Sequence, residues 1–466
     1  MTRPRSPNPI NGLHLVRYGT PADQKFLLGE FVKTYDQLVI NANMVAHAPA
    51  ALASFLLQRA KNKPYFIDPQ THAFQHDITL LESDSPAKEG ELRRSVKTLI
   101  EAYGEPVHTR VGKSHTSILP NDFSNSSLRR GFCDRVIGFQ VKTLSMQATS
   151  ADSAKYYRFL AKKGMTVTTD FGPSLVVAPY FYMDAATLSD WLPVNIALAK
   201  DAAKSAAAVG KPLGIQIVIS QNVLSTQVLI ESLIAQYAQT QPAVFLLWVD
   251  AFSEHVAAPQ LLDALIHLMN RLGIQAPVVN LYGGYFSVAL ARSKRVPRLV
   301  GVAHGPEYGE DRGVIPVGGG IPVAKFYLPG LHTRLPFRDA VRAVRALGGF
   351  NSVRTFLQKI CDCKECVATI TEEPASSFAL YGRSKPIEST RRGTTVVLDY
   401  PLPETKAHCV KHYMWSKARE YDESFSGSEL AKQLSEYERT LGRVLGLSGV
   451  VQCRTWREVL GLTAHQ

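Results

Sequence analysis

The sequence predicts an α/β protein whose centre is a (β/α)8 barrel of the TIM type, and three observations lead there. From about residue 137 onward, short apolar runs alternate with stretches of helical length. The runs are continuously apolar, which is the pattern of parallel strands buried on both faces. No Gly-rich dinucleotide fingerprint follows the first strand, so a doubly wound open sheet ranks second. The chain divides into an N-terminal helical segment over 1–60, the barrel over 61–340 and a C-terminal helical subdomain over 341–466.

In order along the chain, "ADQKFLLGEFVKTYDQLV" and "APAALASFLLQRAKN" carry apolar residues at helical spacing. "KPYFIDP" is a short strand that stops at Asp68-Pro69. A polar region follows, with basic clusters in "EPVHTRVGKSH" and "SSLRRGFCDR". Its "VGKS" is no phosphate loop, because the nearest upstream glycine, Gly104, lies eight residues before Gly112 where the motif needs five. "RVIGFQV" then reads as a strand and "ADSAKYYRFLAKKG" as a helix. "SLVVAPYFYM", "PLGIQIVIS", "PAVFLLWVD", "APVVNLYGG" and "PRLVGVAHG" are further strands, with helices in "NIALAKDAAKSAAAVG", "STQVLIESLIAQYAQ" and "APQLLDALIHLMNRLG". Seven strands result, and "AKFYLPG" supplies an eighth. Past residue 340, "FRDAVRAVRALGGFNSVRTFLQKI" looks helical and a polar segment fills about 370–404. A last helix near 428–446 aligns Leu430, Leu434, Tyr437, Leu441 and Leu445 into a packing stripe.

At 466 residues the chain can bury a large core, and 45% hydrophobic with 20% charged residues is ordinary for a globular protein. The formal net charge of +12 favours a polyanionic partner. The opening "MTRPRSPNPINGLHL" has no long apolar run, and runs such as "AVFLLWV" are too short to span a bilayer. The expectation is a soluble, cytoplasmic protein with reduced thiols.

Three of the six cysteines, Cys361, Cys363 and Cys366, fall within "CDCKEC". Reduced thiols argue against a disulfide, and the spacing leaves a metal site, a redox or iron–sulfur role, or three unrelated thiols. Three thiolates at this spacing reach one tetrahedral zinc from a tight loop, and zinc then needs a fourth ligand. His408, Cys409 and His412 follow, so a Cys3His site is available. Four protein ligands close the coordination shell, which makes one Zn2+ structural and the C-terminal subdomain zinc-binding.

This C-x-C-x-x-C, followed at a distance by a histidine on an aromatic helix, resembles the zinc signature of the tRNA-guanine transglycosylase superfamily. There the histidine segment reads approximately His-Asn-Leu-x-x-Tyr, and "HCVKHY" matches it with His408 at the ligand position and Tyr413 at the aromatic one. The superfamily has (β/α)8 barrels with the zinc subdomain after the last strand. "FIDPQTH" sets Asp68 at the catalytic aspartate of the family's Thr-Asp-Ser-Gly-Gly segment, without its glycines. "LGIQ" sets Gln216 at the glutamine that contacts the base. The family's Gly-Gly-Leu-x-Val-Gly-Glu is replaced by "WVDAFSEH", and its Phe-Asp-x-x-x-Pro nucleophile segment finds no aspartate in "GVAHGPEYGED". In this divergence the chain is similar to the DpdA branch, which inserts 7-deazaguanines into DNA.

The resemblance implies a pentosyltransferase that replaces guanine in DNA with a 7-deazaguanine, such as 7-cyano-7-deazaguanine, through a carboxylate-linked covalent intermediate. tRNA is the alternative polymer, and a zinc-stabilised nucleic-acid-binding barrel without activity is the alternative of another class. There is room for a second copy of the chain or accessory DNA-modification proteins as partners. Base exchange resembles retaining glycoside hydrolysis: one carboxylate attacks the anomeric carbon, and an acid/base group handles the protons of the two bases. Asp68, at a strand end, is the expected acid/base or orienting group. Asp250, ending "AVFLLWVD", is the candidate nucleophile or base-recognition carboxylate, with Glu307, Glu310 and Asp311 as rivals and Asp170 and Asp184 near strand ends. Gln216 and Asn280 are the candidate substrate-binding residues, since an amide offers a purine edge both donor and acceptor. Arg391-Arg392, Arg129-Arg130 and Lys294-Arg295 are candidate phosphate contacts.

Overall fold

The computed structural model describes residues 12–60, 63–83, 88–148, 162, 171–306, 310–315, 323–391 and 394–462. Among them eight parallel strands form the centre: β1 (Leu13–Tyr18), β2 (Gln37–Asn41), β3 (Tyr65–Asp68), β4 (Val176–Val177), β5 (Leu213–Ile219), β6 (Val244–Val249), β7 (Val278–Asn280) and β8 (Leu299–His304). Their order is β3-β2-β1-β8-β7-β6-β5-β4. The two end strands meet where Ser174 N donates to Tyr65 O at 2.7 Å, so the sheet is a nearly closed barrel. Helices including Ser126–Ala148, Leu188–Ala208, Gln227–Tyr237, Pro259–Gly273 and Tyr285–Arg292 surround it.

The strands are buried on both faces, as their continuous apolar runs require. Leu15, Val39, Phe66, Val177, Val218, Leu246, Val279 and Ala303 make up the interior cluster. Their chain neighbours Val16, Leu38, Ile67, Ile217 and Leu247 pack in the outer cluster beneath the helices. Side chains that alternate with period two build both layers from one run.

The barrel begins earlier than predicted, at Leu13, because β1 and β2 lie inside the segment 1–60 expected to be helical. Gly29, at φ +65, breaks that stretch into the short 3-10 turns Pro21–Phe26 and Gly29–Lys33 ahead of β2. "RVIGFQV" is not a strand but part of the helix Ser126–Ala148. There Phe132, Cys133, Val136, Ile137, Gln140 and Leu144 make one buried face at helical spacing. "AKFYLPG" does form a strand, β9 (Lys325–Leu328), but it pairs antiparallel with β10 (Thr333–Pro336) outside the barrel. Most of "ADSAKYYRFLAKKG" lies outside the described residues. The predicted strand number is thus met with two unpredicted strands in place of two predicted ones.

Past the barrel the chain forms helices Phe337–Ala346, Val353–Lys359, Lys364–Thr369, Pro403–Asp422, Gly427–Leu445 and Val451–Val459. The polar segment holds an antiparallel hairpin, β11 (Ser384–Arg391) and β12 (Thr394–Pro401). Leu430, Leu434 and Leu441 are buried, as the predicted packing stripe requires. These helices lie against the outside of the barrel: Tyr421 stacks on His14 of β1 with ring centroids 4.4 Å apart, and Trp456 Nε1 donates to Glu254 O at 2.9 Å. No helix of the described residues is long and apolar enough to cross a membrane.

Candidate functional site

Residues on alternate strands of an eight-stranded parallel barrel share layers, with a stagger of roughly one residue per strand. On one side, Arg17 of β1 is in register with Val39 of β2, and Val39 with Phe66 of β3. Two strands of stagger therefore set Asp68 level with Arg17, and their ion pair at 2.8 Å agrees. On the other side the register runs Leu13, Gly301, Val279, Leu246, Gln216 across four strand steps. A stagger of about four residues sets Gln216 of β5 level with Arg17 as well. Arg17, Asp68 and Gln216 thus form one interior layer near the C-terminal end of the barrel.

Asp68 is completely buried. Its Oδ2 accepts from Arg17 Nη2 at 2.8 Å, and its Oδ1 from Tyr180 Oη at 2.6 Å and from the Gln70 amide at 3.1 Å. Burial on its own would raise the carboxyl, but the Arg17 guanidinium, with the Tyr180 hydroxyl, outweighs it and holds Asp68 below the usual carboxylate range. His72 is pushed down to about 3 by burial and is neutral. It stacks on Tyr180 and meets Trp248 edge-on, each with ring centroids 5.3 Å away. Tyr282, 4.7 Å from Trp248, continues the aromatic wall.

Several buried polar atoms here have no hydrogen-bond partner among the described residues: Gln216 Oε1 and Nε2, Arg17 Nε and Nη1, Tyr282 Oη and His72 Nδ1. Each such group costs about 1–3 kcal/mol when left unmet. Their concentration in one end of one barrel marks a place where ligand or solvent supplies the missing partners. Gln216→Leu should therefore leave the ligand-free protein as stable as before, or about 1 kcal/mol more stable, in chemical denaturation. A loss of several kcal/mol would show that the amide already has a partner.

Asp250 stands just past β6 and is half-buried. Its Oδ1 accepts from Val314 N at 2.6 Å and its Oδ2 from Tyr182 Oη at 3.3 Å. Beside it, Arg312 O accepts from Ala251 N at 2.9 Å and from Trp248 Nε1 at 3.1 Å. Asp250 thereby pins the segment 310–315 over the barrel end, and Val314 closes against the interior cluster.

The remaining candidates are placed elsewhere. Asn280 faces away from the barrel interior, donating to Ser287 Oγ at 2.9 Å and Glu254 Oε1 at 3.4 Å, while Val279 and Leu281 face in. Glu310 forms a buried ion pair with Lys417 at 2.8 Å, and Lys417 also pairs with Glu420 at 2.7 Å. The two carboxylates keep this lysine charged against the pull of burial. Asp311 is exposed, Asp184 caps the amides of Ala186 and Thr187, and Glu307 and Asp170 lie outside the described residues. Arg129 pairs with Asp201 at 2.7 Å, Arg130 with Asp134 at 3.2 Å, and Arg295 Nη2 donates to Val459 O at 2.7 Å. Those three arginines have structural partners, although Arg295 is exposed; Arg392 lies outside the described residues.

The second cluster is a candidate metal centre. Cys361, Cys363, Cys366 and His412 are buried and bring one donor atom each within 4.8 Å of one another, so they could hold a metal ion. The fourth member is His412, not the expected His408. Both lie on the helix Pro403–Asp422, one turn apart, and His412 is the inward one. Its ring stacks on Phe326 at 4.2 Å, and its Nδ1 is 3.3 Å from both Cys363 Sγ and Cys366 Sγ. Its Nε2 donates to Tyr327 O at 2.6 Å, which leaves Nδ1 free to ligate. His408 Nδ1 instead pairs with Glu365 at 2.6 Å. Hydrogen bonds from Cys363 and Cys366 hold the Cys361 thiol well below its ordinary value. Against the pull of burial, the charge of Cys361 and Cys363 pushes His412 up to about 10.

No protein-family model matches this chain, and no curated protein matches it.

Proposed function

We propose that this protein is a base-exchange transglycosylase of the kind its zinc motif resembles, replacing guanine in DNA with a 7-deazaguanine. The observation that carries this reading is the layer of Arg17, Asp68 and Gln216, where a buried ionised carboxylate sits level with an amide whose donor and acceptor are both unmet. Barrels of this type do their chemistry at that end. A planar heterocycle with a donor–acceptor edge would satisfy Gln216 and stack against Tyr180, Trp248 and Tyr282. The net charge of +12 suits a polyanionic substrate.

In this reading the Asp250 carboxylate attacks C1′ as the bond from C1′ to guanine breaks. Guanine leaves with the bonding electron pair and takes up a proton from solvent on that nitrogen. The incoming base gives up the matching proton to Asp68, attacks C1′ and displaces Asp250, so protons balance over the cycle. Arg17 keeps Asp68 ionised and so able to accept that proton, at the cost of making it a weaker base, and Asp68 then releases the proton to solvent. Asp250 is the better nucleophile because it is half-buried at the rim and accepts one hydrogen bond on each oxygen, whereas Asp68 is fully buried and accepts three, one of them from a guanidinium.

The donor set of the second cluster suits zinc. Zinc–sulfur bonds near 2.3 Å and zinc–nitrogen bonds near 2.0–2.1 Å place tetrahedral donors roughly 3.5–3.8 Å apart. Cys361, Cys363, Cys366 and His412 would hold the ion and close its shell, giving it a structural role outside the reaction.

Nucleoside digests of DNA and tRNA test the activity, using cells that express the protein with and without 7-deazaguanine synthesis. A modified deoxynucleoside that depends on the synthesis is expected. Modification confined to tRNA would move the activity to that polymer, and none in either would refute base exchange. Asp250→Asn should reduce exchange by about 10⁴-fold or more with zinc content unchanged. Full activity in that variant would remove Asp250 from the mechanism.

A further inference from the structure

Arg17 does more than neutralise Asp68. Its Nη2 serves both neighbours in the protein, Asp68 Oδ2 at 2.8 Å and Asn41 Oδ1 at 2.9 Å. Its Nε and Nη1 have no partner among the described residues, although the residue is only 3% exposed. The guanidinium lies over the Tyr282 ring, 4.5 Å from its centroid, and the buried Tyr282 Oη has no partner either. A guanidinium cannot shed these donors by losing a proton, so they require acceptors. Both Asp68 oxygens are already engaged by three donors. The acceptor must therefore come from outside the described residues, from solvent in the ligand-free protein and from a ligand that displaces it.

We infer that Arg17, seconded by the Tyr282 hydroxyl, holds the exocyclic 6-oxo oxygen of a purine-type base and selects 6-oxo bases over those that lack the group. The ligand class rests on the base-exchange reading; the contact itself is additional to it. Gln216, level with Arg17 across the barrel, then faces the ring nitrogen and amine edge of the same base. The contact also fits the chemistry. As the bond to the sugar breaks, negative charge spreads from the ring nitrogen to the carbonyl oxygen, and a fixed buried cation there favours departure of the base.

Titration of the full chain with guanine and with 2-aminopurine, which lacks the 6-oxo group, tests this. The unaltered protein should bind guanine roughly 10- to 100-fold more tightly, the effect of hydrogen bonds to a charged donor. Arg17→Lys keeps a cation for Asp68 but loses the spare guanidinium donors, and the ratio should fall toward one. Tyr282→Phe leaves the ion pair intact and should lower the ratio roughly fivefold, which secures the test if Arg17→Lys folds poorly. If the folded variants keep the original ratio, the role of Arg17 and Tyr282 is overturned while base exchange stands. If the unaltered protein binds neither base, the base-exchange reading falls and this inference with it.

Discussion

His412→Ala should abolish metal binding at the cysteine cluster and destabilise the C-terminal helices, while His408→Ala should bind metal as the unaltered protein does. The two histidines are one turn apart on the same helix, yet only His412 has a nitrogen 3.3 Å from two of the cysteine sulfurs. His408 is tied to Glu365 and leaves the cluster complete when removed. A structural zinc site of this composition contributes about 10–16 kcal/mol in small zinc-finger peptides, so loss of one ligand in four is a large perturbation. Its effect should reach the barrel wall. Beyond His412 the same helix presents Lys417 to Glu310 and Glu420, and Tyr421 to His14, whose Nε2 lies 2.6 Å from His304 Nε2 of β8. Metal content by mass spectrometry and thermal unfolding would read both effects. Protons compete for the same donors: with His412 pushed up to about 10 in the metal-free cluster, metal affinity should rise steadily with pH below that value. A His408 variant that loses its metal while the His412 variant keeps it would move the ligand one turn toward the helix start.

Of the two strands that the sequence hides, β1 and β2, the first is hidden for a reason that bears on function. β3 and β5 to β8 are apolar runs flanked by turn residues, so burial on both faces is legible in composition alone. β1, "LHLVRY", carries two polar residues in six, and those break the apolar signal. Both are resolved only by closure of the barrel: Arg17 turns inward to Asp68, and His14 outward to His304 and Tyr421. One of the two hidden strands thus delivers the arginine of the site, and nothing local marks that arginine. "RVIGFQV" is ambiguous because a short apolar run has no decisive period; Phe132 and Cys133, just upstream, extend it into a helical face. The three cysteines are legible from spacing, whereas the fourth ligand is not fixed by a motif that admits two histidines one turn apart. The burial rhythm of Thr405, Cys409, His412, Ser416 and Glu420 marks the inward face of that helix and favours His412.

Asp68→Asn should damage the barrel site in activity and in stability together. Exchange should fall by about 10²–10⁴-fold through loss of the proton acceptor. Asparagine keeps the shape and one carbonyl acceptor, but it leaves Arg17 without an anion and can set an amide donor against the Nη2 that Asp68 now receives. Breaking a buried pair by removing one partner costs about 3–5 kcal/mol, because the remaining charge is uncompensated. The cost should depend on pH in a definite direction. Asp68 is held below the usual carboxylate range in the folded protein, against burial, by Arg17. Its contribution to stability is therefore complete above the unfolded value near 3.9 and is lost as pH falls through the lower folded value. Chemical denaturation at pH 7 should show the full difference between the two proteins, and the difference should narrow on acidification as the carboxyl takes up its proton. A difference that stays constant across that range would mean that Asp68 is not ionised in the native barrel, and the loss in the variant would then belong to packing rather than to charge.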